Sequence, residues 1–148
     1  MKRFNIRVYG IWINERQEIL VSDERLGDFR FTKFPGGGLE FGEGIKDCLI
    51  REWKEELDIE IEVLDHIYTT DFFQISAFDN TSQIISVYYH VRPVLHDIHS
   101  LVFKTIPFDF HENGYDEINF RLLPLQEFSE KDVTLPIDKR VASMITKS

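Results

Sequence analysis

Cysteine, long apolar runs and positive charge are all scarce in this sequence of 148 residues. A single cysteine, Cys48, excludes an intrachain disulfide bond and is typical of a protein in the reducing cytoplasm. No apolar run approaches the roughly 20 residues that a membrane-spanning helix needs. The first residues, Met1–Arg7, carry charge but lack the apolar block of a signal peptide. We therefore expect a cytoplasmic protein without a membrane span.

The balance of charge is acidic. Lysine and arginine number 17 against 26 aspartates and glutamates, so the formal net charge is −9. Basic surface supplies most of the affinity of proteins for long nucleic acids, and this composition disfavours such partners. The composition does not exclude small phosphorylated ligands, because a bound metal ion can supply the missing positive charge. With no repeat and no linker-like segment, residues 1–148 are predicted to form a single domain.

Segments rich in β-branched and aromatic residues predict a protein dominated by strands. These segments are Ile6–Ile13, Glu18–Val21, a short strand with Phe29, Phe31 and Phe34, Ile59–Leu64, Gln83–Arg92 and Glu117–Leu123. Residues 14–16 are predicted to form a turn between the first two strands. We expect Gln83–Arg92 to pair with Asp71–Phe78 through a turn at residues 79–81.

Two segments have a helical pattern. Apolar residues recur every four positions from Ile45 to Leu57 and predict an amphipathic helix. A second helix is predicted from Ile137 to Ile145, just after Pro136. Because strands do not alternate strictly with helices, the order favours an α+β fold with α/β/α layers, in which a mixed sheet lies between helices.

Three glutamates lie on one face of the first predicted helix. Glu52 is three and four residues before Glu55 and Glu56, so the like charges repel one another. A hard divalent cation offsets such repulsion well, since Mg²⁺ and Mn²⁺ prefer carboxylate oxygen. Alone, the three glutamates would indicate only a solvated surface. They follow a glycine-rich segment, Gly36–Gly44, whose backbone can approach a ligand or metal closely, and this segment has neither a Walker loop nor a dinucleotide fingerprint.

The segment Gly37–Ile59 resembles the Nudix box, G-x5-E-x7-R-E-U-x-E-E-x-G-U, in which U is a bulky apolar residue. The matching positions are Gly37, Glu43, Arg51, Glu52, Trp53, Glu55, Glu56 and Ile59. Asp58 departs from the box, which has glycine where the helix ends. Because aspartate tolerates a left-handed backbone better than most residues, we expect a local effect without loss of metal binding.

The resemblance implies a Nudix fold and a hydrolase that cleaves a phosphoanhydride bond. The substrate would be a nucleoside diphosphate linked to another group, as in a nucleotide sugar, ADP-ribose or a nucleoside triphosphate. Glu52, Glu55 and Glu56 would bind Mg²⁺ or Mn²⁺, together with the backbone carbonyl of Gly37. Glu43 and Arg51 would form a structural pair that fixes the loop, and the metal would activate water.

The general base and the substrate contacts lie partly outside the box. The base would be a box glutamate, Glu55 or Glu56, or a glutamate of a later loop, with Glu112 and Glu117 as the candidates. Selectivity within the family also lies outside the box. We therefore expect the residues that determine it in Asp71–Arg92 and Leu95–Gly114.

Other functional classes fit the sequence less well. A non-catalytic Nudix-fold domain that senses a nucleotide would be favoured by lost box carboxylates, but all are retained. A prenyl diphosphate isomerase would need a further catalytic cysteine, whereas Cys48 lies in the box helix, where it is predicted to fill space and not to act as a nucleophile.

His96 and His99 have ligand-like spacing without the partners of a zinc site. The resemblance to the Nudix family favours a homodimer.

Overall fold

In the residues that it describes, 1–94 and 101–145, the computed structural model contains eight strands in two mixed sheets, together with two α-helices. The strands are β1 (Arg3–Ile11), β2 (Glu18–Leu26), β3 (Phe29–Lys33), β4 (Gly36–Gly38), β5 (Ile61–Thr69), β6 (Ser82–Pro93), β7 (Phe103–Lys104) and β8 (Glu117–Pro124). The helices are α1 (Ile45–Leu57) and α2 (Pro136–Ile145), and Glu130–Asp132 forms a 3-10 turn. The α+β class predicted from the sequence is confirmed.

The first of two compact units comprises Met1–Ile11 and the described residues from Pro35 to Val94. Its sheet has the order β4-β1-β6-β5, in which β1 runs parallel to β6 and the other pairs are antiparallel. Helix α1 packs against β4, β1 and β5. Trp53 of α1 is fully buried, and a Cβ atom at Gly10 would lie 2.8 Å from its Nε1. Glycine at position 10 therefore leaves the space that the indole occupies.

Helix α1 has the bounds that its sequence pattern predicts. Leu49, Trp53 and Leu57 are buried, whereas Ile45 at the first turn is 36% exposed. The helix ends at Asp58, whose backbone is left-handed with φ 56° and ψ 37°, and whose N–H donates to the carbonyl of Lys54. Aspartate in place of the box glycine thus retains the left-handed helix end.

The second unit comprises Trp12–Phe34 and the described residues from Leu101 onward. Its sheet has the order β3-β2-β8-β7, with β7 parallel to β8 and the other pairs antiparallel. Helix α2 begins at Pro136, where a proline costs nothing because the first helical N–H has no partner in the helix. Within the described ranges, neither helix is long and apolar enough to cross a membrane.

The glycine run forms a strand, although the sequence predicts a loop there. Gly36–Gly38 pairs antiparallel with β1 in the register Tyr9↔Gly36 and Val8↔Gly37. A Cβ atom at Gly36 would lie only 2.0 Å from the carbonyl oxygen of Val8, and its φ is 154°. The missing side chain therefore allows close approach between backbones, here in a sheet as well as toward a ligand.

The predicted pairing of Gln83–Arg92 with Asp71–Phe78 forms only beside the turn, where the N–H of Ser76 donates to the carbonyl of Ser82 and the N–H of Ile84 donates to that of Gln74. Strand β6 pairs with β1 and β5, and β5 extends to Thr69, beyond the predicted end of that strand. Residues near position 75 retain one isolated bridge, Ile75↔Gln83, beside the end of β6. Because β5 supplies most of the ladder on that side, the Asp71–Phe78 segment cannot form a regular strand next to β6.

Candidate metal-binding active site

Arg51, on α1, joins the helix to the segment that follows β4. Its Nε donates to Oε2 of Glu43 at 2.9 Å, and its Nη2 donates to Oε1 of the same carboxylate at 2.7 Å. Nη2 also donates to the carbonyl oxygen of Gly38 at 3.2 Å. A bidentate arginine–carboxylate pair restricts orientation as well as distance. The chain from Gly38 to Glu43 is therefore held against α1.

The electrostatics of this pair keep both groups charged. Hydrogen bonds from Arg51, and then from the backbone N–H of Glu40, lower the pKa of Glu43 to about 2. The hydrogen bond to Glu43 in turn raises the pKa of the Arg51 guanidinium above its ordinary value. The pair is thus ionised over the whole physiological pH range.

The same guanidinium also contacts the acidic face of α1. Nη1 donates to Oε1 of Glu52 at 2.9 Å and to Oε2 of Glu55 at 3.2 Å. The Glu52 side chain is 14% exposed, whereas that of Glu55 is 59% exposed. Arg51 therefore offsets part of the repulsion between these glutamates. The sequence pattern alone attributes that offset to a bound cation.

Glu52 lies directly against the backbone of Gly37. A Cβ atom at position 37 would lie 2.4 Å from both Cδ and Oε2 of Glu52. Only glycine leaves room for the carboxylate at that place. Gly37 and Glu52, two of the four predicted metal ligands, are thus brought together. Glu56 follows one turn later on α1 with its Oε2 buried.

The donor set suits a hard divalent cation, since it consists of carboxylates and a backbone carbonyl. Among residues 1–94 and 101–145, however, no three histidine, cysteine, aspartate or glutamate side chains already converge as a metal site. Arg51 Nη1 occupies oxygen atoms of Glu52 and Glu55 instead. Nη1 engages one oxygen of each carboxylate, Oε1 of Glu52 and Oε2 of Glu55, so the second oxygen of each is outside these two hydrogen bonds.

Cys48 lies beside this cluster but is inert. The side chain is fully buried, and Sγ donates to the carbonyl oxygen of Gly38 at 3.5 Å. Burial, followed by the hydrogen bond with Glu43, raises the pKa of the thiol to about 12. The thiolate needed for nucleophilic attack is therefore absent at neutral pH, and the cysteine fills space, as the sequence predicts.

Glu117, one of the two later glutamates, is engaged in the second unit. Its Oε1 accepts from the backbone N–H of His111 at 3.1 Å and lies 3.0 Å from Nδ1 of that imidazole. Nη2 of Arg25 is 3.8 Å from the same oxygen. Burial raises the pKa of Glu117, but the hydrogen bonds from His111 outweigh it, so the net pKa is lowered. These contacts favour a structural role over proton transfer.

Glu112, the other later glutamate, is exposed. It lines a cavity of about 560 Å³ in the second unit. The other side chains around that cavity include Arg25, Asp28, Arg30, Phe108, Phe110 and His111. Glu112 has no hydrogen bond or ion pair among the described residues, so its carboxylate is accessible to a ligand or to water. Residues 95–100, which include His96 and His99, lie outside the described residues.

Sequence reasoning missed the buried charges of β2. Oxygen atoms of Asp23 accept from Arg121 Nε at 2.6 Å and Nη2 at 2.9 Å, and Lys33 Nζ lies 2.8 Å from Oε2 of Glu24. The predicted strand ended at Val21, before the charged run 23–25. The charged run 23–25 could have indicated these ion pairs, because charged side chains in the buried part of a strand must be paired.

A family model matches the sequence. The model described as the NUDIX domain matches residues 3–143, which is nearly the whole chain. The match includes the box segment and both units.

Solved structures with a similar fold come from several organisms. The solution structure of the E. coli ORF135 protein is 19% identical with a TM-score of 0.67, covering 99% of this chain and 93% of that one. A MutT protein from Methanosarcina mazei Go1 is 18% identical with a TM-score of 0.68, covering 99% and 95%. MutT from Aliivibrio salmonicida and Vibrio cholerae is 19% identical with a TM-score of 0.56, covering 97% and 98%. At these identities the likeness concerns the fold.

Proposed function

Because the chain belongs to the Nudix family and is a pyrophosphohydrolase of that family, we propose that its substrate is a nucleoside diphosphate linked to another group. Nucleotide sugars, ADP-ribose and nucleoside triphosphates are the substrate types to test. The observation that carries the proposal is the contact of Gly37 with Glu52, held by the bidentate pair between Arg51 and Glu43. That contact sets Glu52 against the backbone of β4, and this proximity of a box carboxylate to Gly37 supports the proposal.

Nudix hydrolases generally use divalent metals, and we propose Mg²⁺ or Mn²⁺ for this chain. Glu52, Glu55 and Glu56 would hold the ion, with the carbonyl of Gly37. When bound, the cation shields the charge of the diphosphate and makes water a stronger nucleophile. Arg51 would then keep its bidentate contact with Glu43, so that the glycine-rich segment stays in place while Glu52 and Glu55 hold the ion.

We propose the general base among Glu55, Glu56, Glu112 and Glu117, and of the two later glutamates Glu112 has the more accessible carboxylate. Its carboxylate is exposed at a cavity and has no partner among the described residues, whereas Glu55 accepts from Arg51 and Glu117 accepts from His111. A general base must reach the attacking water and accept its proton. A carboxylate without a competing hydrogen bond is best suited to that step.

The test is product release from a panel of nucleoside diphosphate derivatives with Mg²⁺, Mn²⁺ or EDTA. Glu56→Gln is expected to lower kcat at least about 100-fold, because even outer-shell partners of a bound metal contribute about 10- to 100-fold. Glu60→Gln is the matched control, since Glu60 is an exposed glutamate just beyond α1, and it should retain wild-type turnover. If nucleotides bind tightly but none is cleaved, the domain senses nucleotides and the proposal fails.

A further inference from the structure

Gly37 and Gly38 are neighbours in β4, and their backbones meet different side chains. A Cβ atom at Gly37 would lie 2.4 Å from Oε2 of Glu52, whereas one at Gly38 would lie 3.5 Å from Nη1 of Arg7. Successive positions of a strand face opposite sides of the sheet. The carboxylate of Glu52 and the guanidinium of Arg7 therefore lie on opposite faces of β4, and both belong to the first unit.

Gly38 is in contact with two guanidinium groups. Arg7 of β1 lies opposite Gly38 in the register of the sheet, and the carbonyl oxygen of Gly38 accepts from Nη2 of Arg51 at 3.2 Å. Arg51 is engaged in the bidentate pair with Glu43, so Arg7 brings a second positive charge to the same strand. Guanidinium groups bind phosphate and carboxylate oxygen strongly, and two of them around one backbone position favour an anionic ligand there.

Tyr9, two positions further along β1, holds the guanidinium of Arg7 in place. Nε of Arg7 donates to the hydroxyl oxygen of Tyr9 at 2.7 Å, and the guanidinium carbon lies 5.8 Å from the centre of the same ring. Tyr9 is buried, and its ring centre lies 5.3 Å from that of the fully buried Tyr88. Because Nε is bound to a fixed hydroxyl group, the two terminal nitrogens keep a defined direction. Such restraint lowers the entropy cost of binding an anion.

The guanidinium of Arg7 is also open to a ligand. Arg7 is only half-buried, and β4 lies at the edge of its sheet. The three residues of β4 are glycines without side chains. A phosphate group at that edge can therefore approach the backbone closely and contact groups on either face of the strand.

We propose that Arg7 binds a phosphate group of the substrate and so contributes to substrate selection. This inference rests on the proposed function, because the ligand is the diphosphate of a nucleoside diphosphate derivative. A guanidinium group binds phosphate through two parallel N–H donors, whereas an ammonium group binds it as a point charge. Arg7→Lys therefore keeps the positive charge but loses the paired donors and the restraint by Tyr9.

The first measurement is the affinity for methylene diphosphonate with Mg²⁺, by isothermal titration calorimetry. This probe has two linked phosphorus groups but no phosphoanhydride oxygen, so binding is measured without turnover. Arg7→Met should raise the Kd about 10- to 100-fold, because a hydrogen bond to a charged group is worth about that factor, and Arg7→Lys should raise it by less. Equal affinity in wild type and Arg7→Met, or no binding by wild type, overturns the inference.

Arg3→Met is the matched control for the loss of charge. Arg3 lies on the same strand and the same face as Arg7, about 13 Å further from β4's partner position, and its Nε donates to Oγ of Ser82 at 3.2 Å. Its Kd should equal that of wild type, although the net charge changes by the same amount as in Arg7→Met. A loss of affinity as large as that in Arg7→Met overturns the inference, because net charge alone would then explain binding.

Tyr9→Phe tests the restraint on the guanidinium, after urea unfolding shows that each variant is folded. Loss of the hydroxyl should raise the Kd about 2- to 10-fold, as expected for one neutral hydrogen bond. In the Arg7→Met background it should cause no further rise, because the hydroxyl acts through the guanidinium. An equal rise in both backgrounds overturns the restraint of Arg7 by Tyr9.

Turnover separates this inference from the proposed function. With the substrate that the panel identifies, Arg7→Met should raise KM about 10- to 100-fold and change kcat less, because the phosphate is held before as well as during the reaction. If wild type cleaves no substrate with metal, the proposed function fails, and the affinity for the diphosphonate still tests Arg7. If wild type is active and Arg7→Met keeps its kcat and KM, the hydrolase stands and the inference is overturned.

Discussion

The box segment Gly37–Ile59 and residues 108–116, which we call the 108–116 loop, are both held by an arginine, but their partners lie at very different distances along the sequence. Arg51 binds Glu43 and the carbonyl of Gly38, which are 8 and 13 positions away. Arg25 binds the carbonyl of Tyr115, which is 90 positions away. Spacing in the sequence can reveal the first kind of contact, because helix and turn geometry fix it locally. It cannot reveal the second kind.

The two arginines also differ in burial. The Arg51 side chain is 24% exposed, whereas that of Arg25 is 7% exposed. The second unit further contains the fully buried carboxylate of Asp23 against Arg121. Loss of a contact should therefore affect folding more in the second unit, and affect catalysis more in the box segment.

The largest effect is expected for Asp23→Ala. It leaves Arg121 as a buried charge without its carboxylate and removes the acceptor of the Thr32 hydroxyl. Breaking a buried pair by removing one partner costs about 3–5 kcal/mol of unfolding free energy. Urea unfolding at neutral pH measures it. Glu62→Ala is the control, since its pair with Arg92 is exposed and should cost about 0–1 kcal/mol. Equal losses of unfolding free energy in the two variants would show that burial does not make one ion pair more important for folding than the other.

The next largest effect is expected for Gly37→Ala, measured as turnover. The new Cβ would meet the Glu52 carboxyl at 2.4 Å, so the carboxylate must move away from the strand. We expect kcat to fall about 100-fold while the chain still folds. Gly44→Ala is the control, because its Cβ would meet only the end of the Asp47 side chain, at 3.1 Å. Wild-type turnover in Gly37→Ala would mean that Glu52 does not need this contact.

A smaller effect is the pH dependence that Glu43 contributes. Its pKa is about 2 in the folded chain and 4.5 as the ordinary value, so its contribution is present above about pH 4.5 and is lost as pH falls toward 2. The difference in urea midpoint between wild type and Glu43→Gln should therefore shrink as the pH falls through that window. In an Arg51→Gln background the same comparison should show a smaller trend, because the N–H of Glu40 still donates to Glu43. An undiminished trend would mean that Arg51 is not the main cause of the lowered pKa.

The smallest effect is expected at the end of α1, for Asp58→Gly. The left-handed backbone of Asp58 costs a non-glycine residue about 1 kcal/mol, and its pair with Lys54 is exposed. Glycine should therefore raise the unfolding free energy by up to about 1 kcal/mol, measured by urea unfolding. Asp58→Asn, which keeps a residue tolerant of that backbone, should change it by less than about 0.5 kcal/mol. A destabilised glycine variant would mean that the ion pair outweighs the strain.

Elements with a strong local pattern were predicted well. Helix α1 has the predicted bounds, and α2 and β8 each differ from prediction by one residue at an end. Strand β4 was missed because glycines carry no side-chain pattern, and only the close approach of β1 makes them a strand. The pairing of Asp71–Phe78 with β6 forms only beside the turn, as the bridge Ile75↔Gln83, because β1 and β5 occupy the two edges of β6 farther along the strand.

By itself, the sequence determined the family, the acidic face of α1 and the residues of the box, because all of these depend on spacing within 23 consecutive residues. Only the tertiary structure decided that Gly37 supports Glu52, that Arg51 occupies the acidic face, and that Arg25 holds the 108–116 loop. The physical reason is that these contacts depend on side-chain direction and on strand pairing. In the case of Arg25, strand pairing brings together residues about 90 positions apart. The spacing of charges along the chain does not encode which distant carbonyl group a buried guanidinium will contact.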